Sequence, residues 1–484
     1  MTSPTEILQS HFGYSQFRGC QRRVIDCVLA NRNAMVVMPT GAGKSLCYQI
    51  PALMLPQATG EDLAPMVLVL SPLVALMQDQ VDALVARGID ATFLNSTLRR
   101  DERVQRQAAI CQGQYRLVYV TPERFRKTAF RDVMKHRHVS LMAIDEAHCV
   151  SAWGHDFRPD YSRVGEIRQS LGSPTTIALT ATATAACRRD IANQLDLPES
   201  QWTVFHEGIE RPNLRIEIET VMDEGEKLAS LLSAIADTAL ATGSAIVYFS
   251  LIKKLQRFSD QLLESRVDHL VYHGELNRQE RRRVQRQFMS GDADLVLATP
   301  AFGMGIDKSD IRLVVHAETP GSIESYYQEI GRAGRDGMPS RCLWLYDQAD
   351  LMTQMQFIDW ANPDASFYDR LLHELTHHPE RSAAFGMDDL RRRLQRVSRH
   401  DHRLDTALAM LDRYGVVAGP NPPDCFRVIS SVPPDLLDDD RLQQKTRRDQ
   451  ERLYALVRLA ASPPEEYKEF LNRYFMDSGV DGED

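Results

Sequence analysis

The sequence predicts an α/β fold: two tandem parallel-sheet domains, then a winged-helix-like domain and a short C-terminal helical segment. Two observations carry this prediction. Through residue 345, short apolar runs alternate with amphipathic segments, as in parallel sheets covered by helices on both faces. This alternation breaks at Arg211-Pro212, and from residue 346 helical patterns replace it. We therefore expect domains at 1–207, 208–345 and 346–432, with a linker and a helical segment at 433–484.

Nine apolar runs are the predicted strands of the two sheets. Five precede the break and four follow it. Each run has the length of a strand and leads into a turn of small or polar residues, which favours strands over helices. The runs are 34–38, 66–70, 117–120, 141–144, 176–179, 245–249, 269–272, 294–298 and 313–316.

The last third of the chain has helical periodicity. Residues 366–376, 387–394 and 404–414 are predicted helices, and 415–429 is a predicted hairpin with Pro and Asn at its tip. Three helices and a β-wing are typical of a winged helix. An acidic linker at 435–440 and a helical segment at 449–475, broken at Pro463-Pro464, complete the prediction.

The 484 residues carry 57 Lys plus Arg and 66 Asp plus Glu, a net charge of -9. A negative total argues against a protein that coats nucleic acid by bulk charge, but it leaves room for a local basic track. No two of the eight cysteines form a Cys-x-x-Cys pair, so zinc-ligand spacing is absent and reduced thiols are expected. Neither a secretory signal nor an apolar run of membrane-spanning length is found. These properties predict a cytoplasmic chain with no membrane contact.

Residues 38–45, MPTGAGKS, follow the first predicted strand and open an amphipathic segment. A glycine-rich turn between a strand and a helix directs backbone N–H groups at an anion, which is the geometry of a nucleotide phosphate loop. Met38 takes the place of the usual first glycine. A chance glycine-rich turn is the alternative, and the strand–loop–helix context argues against it. The candidate ATP-binding residues are Thr40, Gly41, Ala42, Gly43, Lys44 (a charge for the terminal phosphates) and Ser45 (a Mg²⁺ ligand).

Asp145 and Glu146 end the predicted strand 141–144, about one hundred residues after the phosphate loop. The carboxyl ends of parallel strands face the ligand cleft. Asp145 is predicted to hold Mg²⁺ there, and Glu146 to orient and deprotonate the attacking water. A solvated turn is the alternative for Asp-Glu-Ala-His alone, but the phosphate loop upstream favours ATP hydrolysis.

Two arginine-rich stretches follow. Residues 277–288 hold five arginines against one acid, Glu280, which indicates either an anion contact or a solvated helix face. Residues 328–337, QEIGRAGRDG, place Arg332 and Arg335 three apart on a turn punctuated by glycines. Both are candidate arginine fingers, because such a turn suits reaching across a cleft to a γ-phosphate.

The acid pair is followed by an aromatic and charged loop at 153–158, WGHDFR. Stackable side chains a few residues from an ATP site suggest a loop that senses a nucleic-acid base. Core packing is the alternative for Trp153 and Phe157, and the Gly- and charge-rich setting argues against it. His148 is predicted to be a coupling hydrogen-bond partner, because no second metal ligand lies at helical spacing.

Together these motifs resemble the RecQ family of superfamily 2 DNA helicases, closely over residues 6 to about 350 and in part over 449–475. The resemblance implies two RecA-like domains. It also implies that 121–123 tracks the DNA backbone and that 180–182 links hydrolysis to domain movement. The adenine-reading residues it implies are Phe17, Arg18 and Gln21. The DNA contacts it implies are Ser71, Gln78, Trp153, His155, Phe157, Arg158 and Thr299, while Asp307 is implied at the nucleotide and Gln328 in the catalytic set with Arg332 and Arg335.

The chain departs from that pattern in its last part. The family usually places a four-cysteine zinc module after the second α/β domain, but Pro464 and Glu465 stand about where its first cysteine would be. We therefore expect a short form without zinc. Arg391 and Arg392, in a basic stretch of the winged-helix-like segment, are candidate phosphate contacts. A protein-docking winged helix with a solvated arginine face is the alternative.

The resemblance implies an ATP- and Mg²⁺-dependent helicase of the DEAH-box type that moves 3′→5′ on single-stranded DNA. It would unwind tailed or forked duplexes in repair or recombination, in the nucleoid of a bacterium or in a eukaryotic nucleus. Two alternatives stay open. An RNA helicase would share the phosphate loop and the acids but not the loop at 153–158, and a translocase or remodelling module would lack strong strand separation. The sequence names no protein partner.

Overall fold

The computed structural model describes residues 3–56, 63–151, 159–208, 210–237, 243–303, 306, 308–395, 401–418 and 426–476. Within these ranges, no helix has both the length and the apolar composition that crossing a membrane requires. Two parallel α/β domains are followed by a smaller, mainly helical unit, and the last two helices pack back onto the second domain.

The first domain is built on one parallel sheet. Its strands are β1 (Asn33–Val37), β2 (Met66–Leu70), β3 (Ala91–Leu94), β4 (Leu117–Val120), β5 (Val139–Ile144), β6 (Thr175–Thr180) and β7 (Trp202–His206). Its helices are α1 (Pro4–Phe12), α2 (Gln21–Leu29), α3 (Leu46–Met54), α4 (Val74–Val85), α5 (Arg100–Cys111), α6 (Thr128–Lys135), α7 (Val164–Ser170) and α8 (Ala185–Gln194).

The strand order of this sheet, β3-β4-β2-β5-β6-β1-β7, determines where a site can form. β1 lies between β6 and β7, and β5 lies beside β6. Because these strands are parallel, the segments that follow β1, β5 and β6 meet at one edge of the sheet. The central strands are mostly apolar, and Val36, Val69 and Ile144 have no exposed surface, as expected for a sheet covered on both faces.

The second domain repeats this plan with the order β10-β11-β9-β12-β13-β8, all pairs parallel. Successive residues of the central strand β9 point to opposite faces of the sheet: Ile246 belongs to one core cluster and Val247 to another. Both faces of the sheet are therefore covered. The strands are β8 (Leu214–Thr220), β9 (Ser244–Tyr248), β10 (Leu270–Tyr272), β11 (Leu295–Ala298), β12 (Ile311–His316) and β13 (Ser340–Tyr346). The helices are α9 (Glu224–Asp237), α10 (Ile252–Glu264), α11 (Arg278–Ser290) and α12 (Ile323–Ile330).

All nine predicted strands are present, so the prediction of two parallel-sheet domains is confirmed. Strands β3, β7, β8 and β13 were not predicted. Three of them, β3, β7 and β8, are edge strands. β7 and β8 have exposed or polar positions, such as LRIEIET in β8. An edge strand that is open to solvent on one side does not form the continuous apolar run that marks a buried parallel strand.

A helical unit follows, with α13 (Asp350–Ala361), α14 (Ala365–His377), α15 (Pro379–Leu394), α16 (Arg403–Arg413) and the antiparallel strands β14 (Val417–Ala418) and β15 (Arg427–Val428). Helix α13 was not predicted. Its first residue, Asp350, is buried and accepts hydrogen bonds from Lys227 (2.8 Å) and Lys254 (2.9 Å) of the second domain. The tip of the predicted hairpin lies outside the described residues, and the winged-helix assignment stays a prediction.

The C-terminal helices α17 (Asp439–Ala461) and α18 (Tyr467–Met476) contribute to the core of the second domain. The predicted linker ends earlier than expected, because Asp438 caps α17 by accepting hydrogen bonds from the backbone N–H groups of Asp440 and Arg441. The predicted break is present as a 3-10 turn at Pro464–Glu466. Leu456, Leu459 and Phe475 have no exposed surface, so this segment is packed rather than trailing.

Candidate active site between the two domains

The phosphate loop lies between β1 and α3 and encloses its own lysine. Gly41 and Gly43 have φ values of 82° and 75°, a region that side chains other than glycine rarely adopt. The Lys44 ammonium donates to the carbonyls of Met38 (3.1 Å) and Pro39 (3.3 Å). Ser45 Oγ accepts a hydrogen bond from Gln80 Nε2 at 3.0 Å. The loop therefore has the turn, the charge and the hydroxyl that Mg²⁺·ATP requires.

The predicted adenine-reading residues lie beside this loop. Gln21 is buried, and its Nε2 donates to the carbonyls of Ala42 (2.8 Å) and Gly43 (3.2 Å). Its Oε1 accepts from the backbone N–H of Arg18 at 3.0 Å, and Phe17 is half-buried. In this arrangement Gln21 supports the backbone of the phosphate loop, and its contact with adenine stays a prediction.

The acid pair stands at the carboxyl end of β5, beside the phosphate loop. Asp145 is buried, and its Oδ1 accepts from the backbone N–H of Glu146 at 3.1 Å. Burial and the Glu146 carboxylate raise the pKa of Asp145 from 3.8 to about 7, while Lys44 opposes part of that rise. Glu146 has φ of 49°, an uncommon left-handed conformation for a side chain of its size. The carboxyl groups of Asp145 and Glu146 and the ammonium of Lys44 thus lie in one site that is partly excluded from solvent.

The raised pKa predicts that Asp145→Asn stabilises the nucleotide-free protein. Folded Asp145 keeps its proton to higher pH than unfolded Asp145, so its contribution to the free energy of unfolding is lost as pH rises from 3.8 to about 7. The variant should therefore melt higher than the parent, and by more at pH 8 than at pH 5. Each kcal/mol regained shifts Tm by roughly 2–4 °C for a domain of this size. Thermal denaturation without Mg²⁺ measures it, with the exposed Asp132→Asn as the control; equal melting at pH 8 would contradict the shift.

His148 connects the acids to the segment after β6. It is buried, and its Nδ1 lies 3.1 Å from Thr180 Oγ1 and 3.4 Å from Glu146 Oε2. Glu146 Oε2 is buried and accepts no hydrogen bond from the described residues, so an acceptor is available for a water molecule. Thr180 Oγ1 in turn accepts from the backbone N–H of Thr182 at 3.1 Å. These contacts link the acids to 180–182, and the coupling role of His148 stays a prediction.

The second domain brings its arginine turn against the phosphate loop. The Cγ of Arg335 is 3.1 Å from the position that a Cβ would take at Gly41. Burial lowers the pKa of Lys44; Glu146 and Asp145 counter that shift and Arg335 adds to it, so these four charges share one site. Arg332 is instead buried and donates to the carbonyl of Gly303 within its own domain. Of the two predicted arginine fingers, Arg335 is therefore the one that lies beside the phosphate loop. Gln328, the other residue predicted for the catalytic set, lies on α12, one turn before Arg332.

The predicted DNA contacts are distributed unevenly. Gln78 lies on the wall of a cleft between the domains. Ser71 and Thr299 are buried, and Ser71 Oγ accepts from the backbone N–H of Leu73 at 3.4 Å, which gives it a local structural role. Arg391 pairs with Asp405 at 2.6 Å and Asp388 at 3.7 Å, whereas Arg392 is exposed. The basic face predicted on this helix is therefore partly neutralised, by Asp388 on the same helix and by Asp405 on α16.

Some predicted site residues lie outside the described residues, and their DNA and nucleotide roles stay predictions. They are Trp153, His155, Phe157, Arg158 and Asp307.

Two residues at this site were not predicted. Arg211, which was predicted only as part of a break in the pattern, donates to carbonyls of both the phosphate loop and the arginine turn. The available signal was an Arg-Pro pair in a short segment between two α/β domains. Gln80, two residues after the predicted DNA contact Gln78, donates from Nε2 to Ser45 Oγ of the phosphate loop.

Comparisons with known proteins agree with this geometry. The model of the DEAD/DEAH box helicase family matches residues 18–189, and that of the helicase conserved C-terminal domain matches 226–337. The yeast (S. cerevisiae) Dbp5 structure bound to RNA and ADP BeF3 has a TM-score of 0.57 and 17% identity, and the match covers 74% of this chain and 90% of that one. A likeness at that identity supports the fold of two helicase domains.

Two curated relatives identify the family. The ATP-dependent DNA helicase RecQ of Pasteurella multocida is 42% identical over 345 residues, 71% of this chain and 52% of that protein. The probable ATP-dependent DNA helicase RecS of Bacillus subtilis is 40% identical over 370 residues, 75% of this chain and 71% of that protein. The chain spans about half the length of the first RecQ relatives it matches. With a phosphate loop, an acid pair and an arginine turn assembled between two domains, and with these relatives, the chain belongs to the RecQ family of ATP-dependent DNA helicases.

Proposed function

We propose that this chain is an ATP-dependent DNA helicase that moves 3′→5′ on single-stranded DNA and separates tailed or forked duplexes during repair or recombination. The observation that carries the proposal is the interdomain site. The phosphate loop and the acids belong to one domain and Arg335 to the other, so hydrolysis depends on how the two domains meet. An enzyme that works on DNA would act in a bacterial nucleoid or a nucleus.

Each residue of this site has a separate role in ATP hydrolysis. Backbone N–H groups of 38–45 and Lys44 bind the phosphates, and Ser45 with Asp145 would hold the Mg²⁺ that neutralises phosphate charge. Glu146 orients the attacking water and accepts its proton. Arg335 stabilises the negative charge that develops on the γ-phosphate. Oxygen ligands and a carboxylate base are the groups this chemistry needs, so the residues fit Mg²⁺·ATP.

We infer that the same chain uses no structural zinc. Six of the seven cysteines among the described residues are buried. Burial raises the pKa of the Cys20, Cys187 and Cys342 thiols to about 12, which disfavours the thiolates that zinc binds.

A basic cleft supports the choice of nucleic acid as partner. It encloses about 790 Å³ between α5 of the first domain and α11 of the second. Its walls carry one acid, Glu102, against the six arginines Arg99, Arg106, Arg278, Arg282, Arg283 and Arg286. Such a local charge excess on a chain of net charge -9 marks a phosphate track. Because the walls belong to two domains, each cycle of closing and opening would shift the grip on a strand lying there.

The test compares nucleic acids. ATPase activity should rise with single-stranded DNA more than with RNA of the same sequence, and a 3′-tailed duplex should be unwound where a 5′-tailed one is not. Equal stimulation by RNA would make the chain an RNA helicase, and stimulation without strand displacement would make it a translocase.

The cleft is tested by removing charge from α11. In Arg282→Ala/Arg286→Ala, affinity for single-stranded DNA should fall, and the slope of log K against log salt should become shallower by roughly 1.4, since each lost phosphate contact removes about 0.7. The exposed Arg257→Ala on α10 is the control, because it lies outside the cleft lining. An unchanged slope in the double variant would place the DNA elsewhere.

A further inference from the structure

The segment that joins the two domains carries an arginine placed between the two halves of the active site. Arg211 lies between β7 and β8 and is half-buried. Its guanidinium contacts four backbone carbonyls: Nη2 donates to Ala333 (2.7 Å) and Gly334 (2.8 Å), and Nη1 donates to Gly331 (3.3 Å) and Thr40 (3.5 Å). Three of these acceptors belong to the arginine turn of the second domain and the fourth to the phosphate loop of the first.

A neighbouring residue fixes the same turn. Asn213 Nδ2 donates to the carbonyls of Gly334 (2.8 Å) and Met338 (3.0 Å), and the Asn213 carbonyl accepts from the backbone N–H of Ser340 at 2.9 Å. A Cβ at Gly334 would stand 2.4 Å from Asn213 Nδ2, so the close approach of the joining segment requires glycine at position 334. The joining segment therefore determines the shape of the turn that carries Arg332 and Arg335.

The chemistry of this contact suits arginine. A planar guanidinium presents five donors in a fixed fork, whereas a lysine ammonium is a single point on a flexible stem. One guanidinium can thus hold carbonyls on both sides of a cleft. Burial lowers the pKa of Arg211, and Tyr327 and Cys342 oppose part of that shift.

We propose that Arg211 is a positioning residue for ATP hydrolysis: it holds the arginine turn in register with the phosphate loop, so that Arg335 reaches the γ-phosphate. The proposal rests on the proposed ATPase activity and adds the residue through which the joining segment controls it. Arg211 donates to backbone carbonyls of the two loops and, from Nε, to Asn213 Oδ1 (3.4 Å), so it acts through Arg335 and not on the reacting atoms. A displacement of about 1 Å in such a group costs on the order of 10²-fold in rate.

The experiment measures turnover and nucleotide affinity separately in the full chain. With saturating single-stranded DNA, Arg211→Ala should lower kcat by about 10- to 100-fold, while the Kd for a non-hydrolysable ATP analogue changes by no more than about threefold. Arg211→Lys should not restore turnover, because an ammonium cannot bridge both loops. The control is Arg215→Ala, four residues on, whose side chain is 81% exposed and pairs with Glu217; it should keep full activity.

A double-mutant cycle separates positioning from general support of the fold. Because Arg211 acts through Arg335, Arg211→Ala/Arg335→Ala should be no slower than Arg335→Ala alone. Additive losses, or a normal kcat in Arg211→Ala, would overturn the proposal. If Arg211→Ala fails to fold, as judged by circular dichroism, Arg211→Gln takes its place in the same cycle and decides it. Lys44→Ala distinguishes failure of this proposal from failure of the proposed ATP site. If Lys44→Ala still hydrolyses ATP, the ATP site itself is wrongly assigned. If Lys44→Ala is inactive and Arg211→Ala is fully active, only the role of Arg211 is wrong.

Discussion

Lys44→Ala is expected to abolish ATP hydrolysis. The ammonium lies inside the phosphate loop, bonded to the carbonyls of Met38 and Pro39, and within electrostatic range of Asp145, Glu146 and Arg335. Removing it takes away the charge that would bind the terminal phosphates and leaves two carboxylates beside them. A charged donor aimed at developing negative charge is worth at least about 100-fold in rate. Steady-state ATPase assays with and without single-stranded DNA measure the loss.

The matched control for this variant is Lys135→Ala on α6. That lysine is 72% exposed and pairs with Asp132 on the surface, so its removal should leave turnover unchanged. Lys135→Ala should also melt at the temperature of the parent, because its side chain lies on the surface. Turnover retained in Lys44→Ala would show that 38–45 is not the phosphate loop.

Glu146→Gln should separate ATP binding from hydrolysis. The amide keeps the size of the side chain and its place beside His148, but it cannot accept the proton of the attacking water. General-base catalysis contributes typically about 10²- to 10⁴-fold, so kcat should fall within that range while ATP affinity is kept. Single-turnover hydrolysis and equilibrium binding of labelled ATP measure the two quantities.

The control here is Glu166→Gln on α7, a carboxylate that is 64% exposed and pairs with Arg163. It changes the same chemical group away from the site and should leave both quantities unchanged. If Glu146→Gln hydrolyses ATP at the normal rate, another residue must act as the base, and Asp145 would be the first to examine because its raised pKa allows it to exchange a proton near neutral pH.

Most of the buried strands were predicted correctly, although β3 and β13, which are also buried, were not. β1, β2 and β5 are continuous apolar runs, because parallel strands inside an α/β domain meet no solvent. The edge strands β7 and β8 and the helix α13 escaped the same reasoning. Asp350 at the start of α13 is a buried acid, and only its pairing with Lys227 and Lys254 explains why a polar residue stands there.

The basic stretches show why charge alone predicts poorly. The segment 277–288 and the segment that contains Arg391 are both rich in arginine. In the folded chain the exposed arginines of α11 line a cleft with one acid in its wall, whereas Arg391 is paired with Asp388 and Asp405. One of these two acids, Asp405, lies on another helix, so the pattern within one helix does not decide whether an arginine is neutralised.

The local features of this protein can be predicted from its sequence: the parallel sheets, the glycine-rich turn at 38–45, and the place of Asp145 and Glu146 at the end of a strand. Each of these features depends on a strand and the few residues that follow it, so neighbouring residues are enough to specify its conformation. The tertiary structure decided which arginine meets the phosphate loop, and it brought Arg211 between Thr40 and Gly334. These contacts join residues more than one hundred positions apart, and only the packing of two domains, which no local periodicity records, brings them together.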